Sequence, residues 1–247
     1  MQVEIFLHKL YITIMKKLFG IFFAILLVAC SSKNNSISLN DTLENQENNI
    51  TLHFEGDLNF SNPNINKETE KILRDSIIST IFGNDFTKFS NNKLLKEYAQ
   101  SSLNTFIETA EDSAKKIKLY TKIDGNIISA NNQYVSFRRI ITTNTTTDAK
   151  TLMTTCNHYL FDAQTGRHLN ERDIFTPLQM NIIRSLLVDR AKEMAKENEI
   201  KIDFQRVRPN GNFTLTDSTI TYTFNPYEIA HPRIGYIEIT INNIKTN

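Results

Sequence analysis

Four side chains near the C-terminal end, Tyr227, Glu228, His231 and Arg233, lie in a stretch framed by Pro226 and Pro232 and form the candidate ligand-contacting set. Proline fixes φ and lacks an N–H, so this stretch reads as a shaped loop rather than as more sheet. His231, between Glu228 and Pro232, is the best single candidate for a ligand contact. Glu228 and His231 would also serve as acid and base of a hydrolase, provided they converge in one concave pocket. A proline-framed loop that packs over a sheet edge accounts for the same residues. The other two histidines of the C-terminal half, His158 and His168, complete no His-X-X-X-His or His-Glu-X-X-His pair. A zinc site would need distant partners, and no metal or cofactor is expected. Cys156 alternates with Thr154 and His158 in a strand-like run, which suits a buried structural thiol. No Gly-X-Ser-X-Gly elbow, phosphate loop or dinucleotide fingerprint occurs, and no catalytic residue is assigned.

Strands must hold that loop in place. Ile220, Tyr222 and Phe224 alternate with Thr219, Thr221 and Thr223, and Ile237, Ile239 and Ile241 alternate with Glu238 and Thr240. Period-two alternation predicts two strands with one buried face each. The rest of the chain is expected to pack against this pair. Upstream, Ile50 to Phe60 alternates as a first strand. Helices follow: one capped by Asn66 and ended by Gly83-Asn84, the next capped by Asn91 or Asn92. Lys115 to Asp124, Ile127 to Ala130, Gln133 to Thr142 and Thr151 to Asp162 read as further strands, with Asp124-Gly125-Asn126 as a hairpin turn. Thr176, Pro177 and Gln179 form a capping box for a helix whose apolar stripe is Met180, Ile183, Leu187, Ala191 and Met194. The predicted fold class is α+β, a mostly antiparallel sheet with helices packed on one side and two subdomains.

The chain has 247 residues, 22% of them charged, and a net charge of +1. Its first 29 residues include Lys9, Lys16, Lys17 and Glu4, which leaves 25 basic against 26 acidic residues beyond them. Without a basic cluster, nucleic acid is not an expected partner. From Met15, where synthesis is expected to begin, two lysines precede an apolar run from Leu18 to Val28 and then Ala29-Cys30. A basic start, a short apolar run and a small residue before the cut describe a secretory leader. Leu27-Val28-Ala29-Cys30 resembles the bacterial lipobox, which implies that Cys30 is lipidated and anchors the chain to a membrane. The expected organisation is a leader over residues 1–30, a flexible Ser/Asn-rich tether over 31–49, an N-terminal α+β subdomain over 50–143 and a C-terminal one over 144–247. With no acidic run after Cys30, the periplasm-facing leaflet of the outer membrane is the expected location.

One family resemblance follows from ordered motifs. Tyr159-Leu160-Phe161-Asp162, Thr165-Gly166-Arg167, Asp173-Ile174-Phe175, the amphipathic helix, Phe213-Thr214-Leu215-Thr216 and Phe224-Asn225-Pro226-Tyr227-Glu228-Ile229-Ala230 with Gly235 resemble the C-terminal domain of RsiV-like proteins. The segment from Ile50 to Phe106 is similar to the small domain upstream of it in RsiV and in the deacetylase PdaC. His231 stands where that family usually has proline, and Thr145-Thr146-Thr147-Asp148 replaces its Gly-Gly-Ala-His. The resemblance implies the extracytoplasmic module alone, which in RsiV binds lysozyme, a specificity not carried over to this chain. With the lipobox and the absence of a catalytic set, the expected function is a binding or sensing module without enzymatic activity, recognising a protein (lysozyme-like) or a cell-wall glycan. A wall-acting hydrolase using Glu228 and His231 is the alternative.

Overall fold

A computed structural model describes residues 36–47, 49–61, 65, 67–109, 117–144 and 152–242. The expected leader, lipidated Cys30, the Asn66 cap and the loop at 145–148 lie outside the described residues. Strands β1 (Ser36–Asn45) and β2 (Ile50–Asn59) form an antiparallel hairpin. The chain then crosses through helices α1 (Lys67–Phe82) and α2 (Asn91–Thr109) to β3 (Ile117–Ala130), which lies parallel to β2. A parallel neighbour requires a long crossover, and the two helices supply it. Strands β4 (Tyr134–Asn144) and β5 (Leu152–Asp162) continue as an antiparallel meander, and β6 (His168–Leu169) adds a short edge. The six strands follow in chain order.

Alternation on β2 explains how this sheet meets its helices. Leu52, Phe54 and Leu58 point to one face and are buried with Ile123 and Phe137 against Leu73 and Ile77 of α1 and Leu95 and Ala99 of α2. Each such aliphatic or aromatic side chain contributes about 1.5–3 kcal/mol on burial. Asn91, expected as the α2 cap, instead accepts two hydrogen bonds from the Arg74 guanidinium of α1, at 3.0 and 2.7 Å.

Two local expectations are corrected. Residues 36–45 are strand rather than flexible tether, because Ile37, Leu39 and Leu43 recur at even spacing and reach the core through polar neighbours. Asp124-Gly125-Asn126 is not a turn, since β3 runs straight through it. Gly125 is there for space: a Cβ would come within 2.7 Å of Leu58 and 2.8 Å of Phe137. The turn lies further on, where Asn131 Oδ1 accepts from the backbone N–H groups of Gln133 and Tyr134.

A second, three-stranded antiparallel sheet comprises β7 (Phe213–Leu215), β8 (Thr219–Phe224) and β9 (Ile237–Asn242). Its alternation is as read from the sequence, with Ile220, Tyr222, Phe224, Ile237, Ile239 and Ile241 buried. A short helix α3 (Glu171–Ile174) leads to α4 (Pro177–Glu197), whose Ile183, Leu187 and Ala191 pack into the same core. Thr176 Oγ1 accepts from Gln179 N–H while Gln179 Oε1 accepts from Thr176 N–H, completing the capping box. The pair β8–β9 does not organise the chain as expected, because the six-stranded sheet is the larger frame. Nor does a boundary fall near Asn144, because β5 pairs with β4 along its whole length. Among the described residues no helix is long and apolar enough to cross a membrane.

Candidate functional site

The connection from β8 to β9 is pinned at two points. Ile229 is buried in the second core, and its carbonyl accepts from Asp203 N–H at 2.8 Å. Ala230 bridges to Ile202. Between these anchors and the strand end, Tyr227 is 64% exposed and holds a φ of +72°. That left-handed conformation costs a bulky non-glycine residue about 1–2 kcal/mol, and strain of this kind gathers at ligand-contacting loops. His231 Nδ1 accepts from Arg233 N–H at 3.2 Å and so caps a 3-10 turn over Pro232–Ile234, which Gly235 ends at a φ of +82°.

Three of the four predicted residues come together. Tyr227, His231 and Arg233 line one groove of about 630 Å³ with Leu152, Arg206 and Pro232. Glu228 does not join them. It faces a separate hollow of about 260 Å³ beside Arg208, where Asn210 Nδ2 donates to its carboxylate at 3.1 Å. Arg206 borders both concavities. Among the described residues neither Arg206 nor Arg233 has an ion-pair partner.

A second constellation lies between the sheets and was not anticipated as a set. Cys156 and His158, two apart on β5, share the face turned toward the small sheet, and Arg138 is the register partner of His158 on β4. From the other side β9 presents Glu238, opposite Thr223 of β8. His158 Nε2 lies 3.6 Å from Cys156 Sγ and 3.5 Å from Glu238 Oε1. The His158 side chain is 2% exposed and Glu238 41%. His158 Nδ1 is buried with no hydrogen-bond partner among the described residues. Burial pushes the Cys156 thiol up to about 12, the Glu238 charge adds to this, and Arg138 opposes it. The hydrogen bond from His158 holds the Glu238 carboxyl below its usual range against a desolvation that raises it. Burial, then Cys156 and Glu238, raise the neighbouring Tyr236 hydroxyl.

Two asparagines fix the β5 backbone at this point. Asn225 Oδ1 accepts from Cys156 N–H at 2.7 Å, and Asn212 Oδ1 accepts from His158 N–H at 2.7 Å. Asn212 Nδ2 also donates to the Cys156 carbonyl at 2.8 Å. Side-chain amides thus take the place of a missing strand neighbour and satisfy polar groups that burial would otherwise leave unpaired. His168, the third histidine, sits between Tyr159 and Phe161, and burial lowers its pKa. The signal for Cys156 and His158 was their period-two spacing on a strand. Nothing local in the sequence connects them to Glu238.

Residues 172–243, from α3 to the end of β9, match the family described as Protein of unknown function (DUF3298). The matched stretch includes both the Tyr227 loop and Glu238. It is similar to the crystal structure of a DUF3298 family member from Bacteroides fragilis, with 18% identity, a TM-score of 0.62, and coverage of 84% of this chain and 88% of that one. It also resembles a DUF3298 family protein from Pseudomonas aeruginosa, with 14% identity, a TM-score of 0.50, and coverage of 84% and 89%. At these identities the likeness is one of fold. No curated protein matches the chain.

Proposed function

We propose that this chain is a lipid-anchored binding or sensing module of the bacterial envelope, which holds a protein or cell-wall glycan ligand in the groove beside Tyr227. The observation that carries the proposal is the groove itself. A strained, exposed aromatic lines it, and its walls combine apolar Leu152 and Pro232 with the guanidinium groups of Arg206 and Arg233, which have no ion-pair partner among the described residues. Aromatic and arginine anchors beside apolar surface are the residues that most often dominate binding energy. What speaks against the Glu228–His231 hydrolase is the separation of those two residues, which line different concavities. Support for the envelope comes from the leader, the lipobox at Cys30 and the resemblance to RsiV-like proteins.

The test is titration calorimetry of the chain lacking its leader against lysozyme and against soluble peptidoglycan fragments. One of these ligands should bind, and Tyr227→Gly should weaken it at least tenfold, a loss of about 1.4 kcal/mol. The same substitution should leave the melting temperature unchanged or raise it, since glycine relieves the positive φ. Absence of binding to both ligands would overturn the proposal. Labelled palmitate should enter the wild-type chain in cells and fail to enter Cys30→Ser.

A further inference from the structure

We infer that Cys156, His158 and Glu238 form a binding site for one divalent cation of borderline softness, zinc above all, at the seam between the two sheets. A thiolate, an imidazole and a carboxylate are the donors zinc takes from proteins. Their ligand atoms lie within 4.8 Å of one another. With bonds of about 2.3 Å to sulfur and about 2.1 Å to nitrogen and oxygen, a tetrahedral ion sets its S···N edge at about 3.6 Å and its N···O edge at about 3.4 Å. The structure has 3.6 Å and 3.5 Å.

Hydrogen bonding accounts for the 3.6 Å contact to sulfur but not for both contacts at once. Nε2 is one atom facing two partners, so it donates to Glu238 or accepts from the Cys156 thiol but does not do both. A full charge-assisted bond to a carboxylate closes to about 2.7–2.9 Å, so the His158–Glu238 hydrogen bond at 3.5 Å is a long one. Convergence of two donors on a single ring nitrogen at tetrahedral edge length is what a shared cation would impose.

The surroundings define the kind of site. Asn212 and Asn225 hold the β5 backbone, so Cys156 and His158 are presented on a fixed frame. Glu238 is partly solvated, which gives an ion a route in and leaves the fourth position open to water. Arg138, Tyr236 and Thr223 also face the cluster. The Arg138 charge and the Nδ1 of His158, which has no partner among the described residues, both work against tight binding, because a ligating imidazole is normally oriented by an acceptor on its other nitrogen. The expected affinity is therefore micromolar rather than nanomolar. In the metal-free chain Cys156 is a thiol, so zinc binds with sulfur–proton cleavage and sulfur–zinc bond formation, releasing one proton to solvent.

The experiment titrates zinc and cobalt into the full chain carrying Cys30→Ser, which leaves Cys156 as its one thiol. One zinc per chain should bind, with one proton released and affinity rising with pH. Cobalt should produce a near-ultraviolet thiolate charge-transfer band. Cys156→Ser should abolish that band, and Glu238→Gln, a near-isosteric change at a partly exposed position, should weaken zinc at least tenfold. A zinc-dependent rise in melting temperature should occur in the parent chain and vanish in Glu238→Gln. Failure of zinc to bind, or binding that neither substitution alters, would overturn the site.

Discussion

Cys156 shows how strongly position controls a single side chain. Its thiol is buried and pushed up from its ordinary value of 9.0 to about 12, which leaves roughly a thousandfold less thiolate at neutral pH. Because the folded value is the higher one, the thiol contributes stability that is complete below pH 9 and lost as pH rises toward 12. Denaturant melts across that window should therefore fall more steeply for the parent chain than for Cys156→Ser, by a slope difference approaching one proton. Asn212 acts through the backbone instead. Asn212→Ala would leave the Cys156 carbonyl and the His158 N–H unpaired at a covered edge, and should cost about 1–3 kcal/mol by urea denaturation. Tyr227, His231 and Arg233 were legible as a group because one short loop carries all three. Glu238 was not, because only the packing of one sheet on another brings it to Cys156 and His158.

At the scale of elements, local rules succeeded where the pattern was self-contained. Alternation placed β8 and β9, and the Thr176–Gln179 capping box with Pro177 placed the start of α4. They failed where a distant neighbour decides. Asp124-Gly125-Asn126 has turn chemistry, yet the glycine is required by Leu58 on one neighbouring strand and Phe137 on the other. Gly125→Ala should destabilise the fold by about 1–3 kcal/mol through overpacking, measured as a shift in urea midpoint at constant slope. A turn position would tolerate the change far better. Ser36–Asn45 escaped notice for the opposite reason. Its Ser/Asn composition is that of a linker, and only pairing with β2 makes three spaced apolar residues sufficient for a strand.

For the whole molecule, β1 covers what would otherwise be a long open edge on β2. Ten residue pairs join the two strands. A chain shortened to begin after Asn45 should expose that edge and the apolar surface beneath Ile37, so it should melt at lower temperature and form larger particles in light scattering. A dispensable tether would give neither effect.

Under the proposed anchoring, the same strand would also set how far the body stands from a bilayer. If Cys30 carries the anchor, only residues 31–35 separate it from the sheet, and six residue steps at full extension span at most roughly 20 Å. The start of β1 would then be leashed close to the headgroups. On the proposed function, such a protein would wait for what arrives at the membrane surface and would not reach out to collect it.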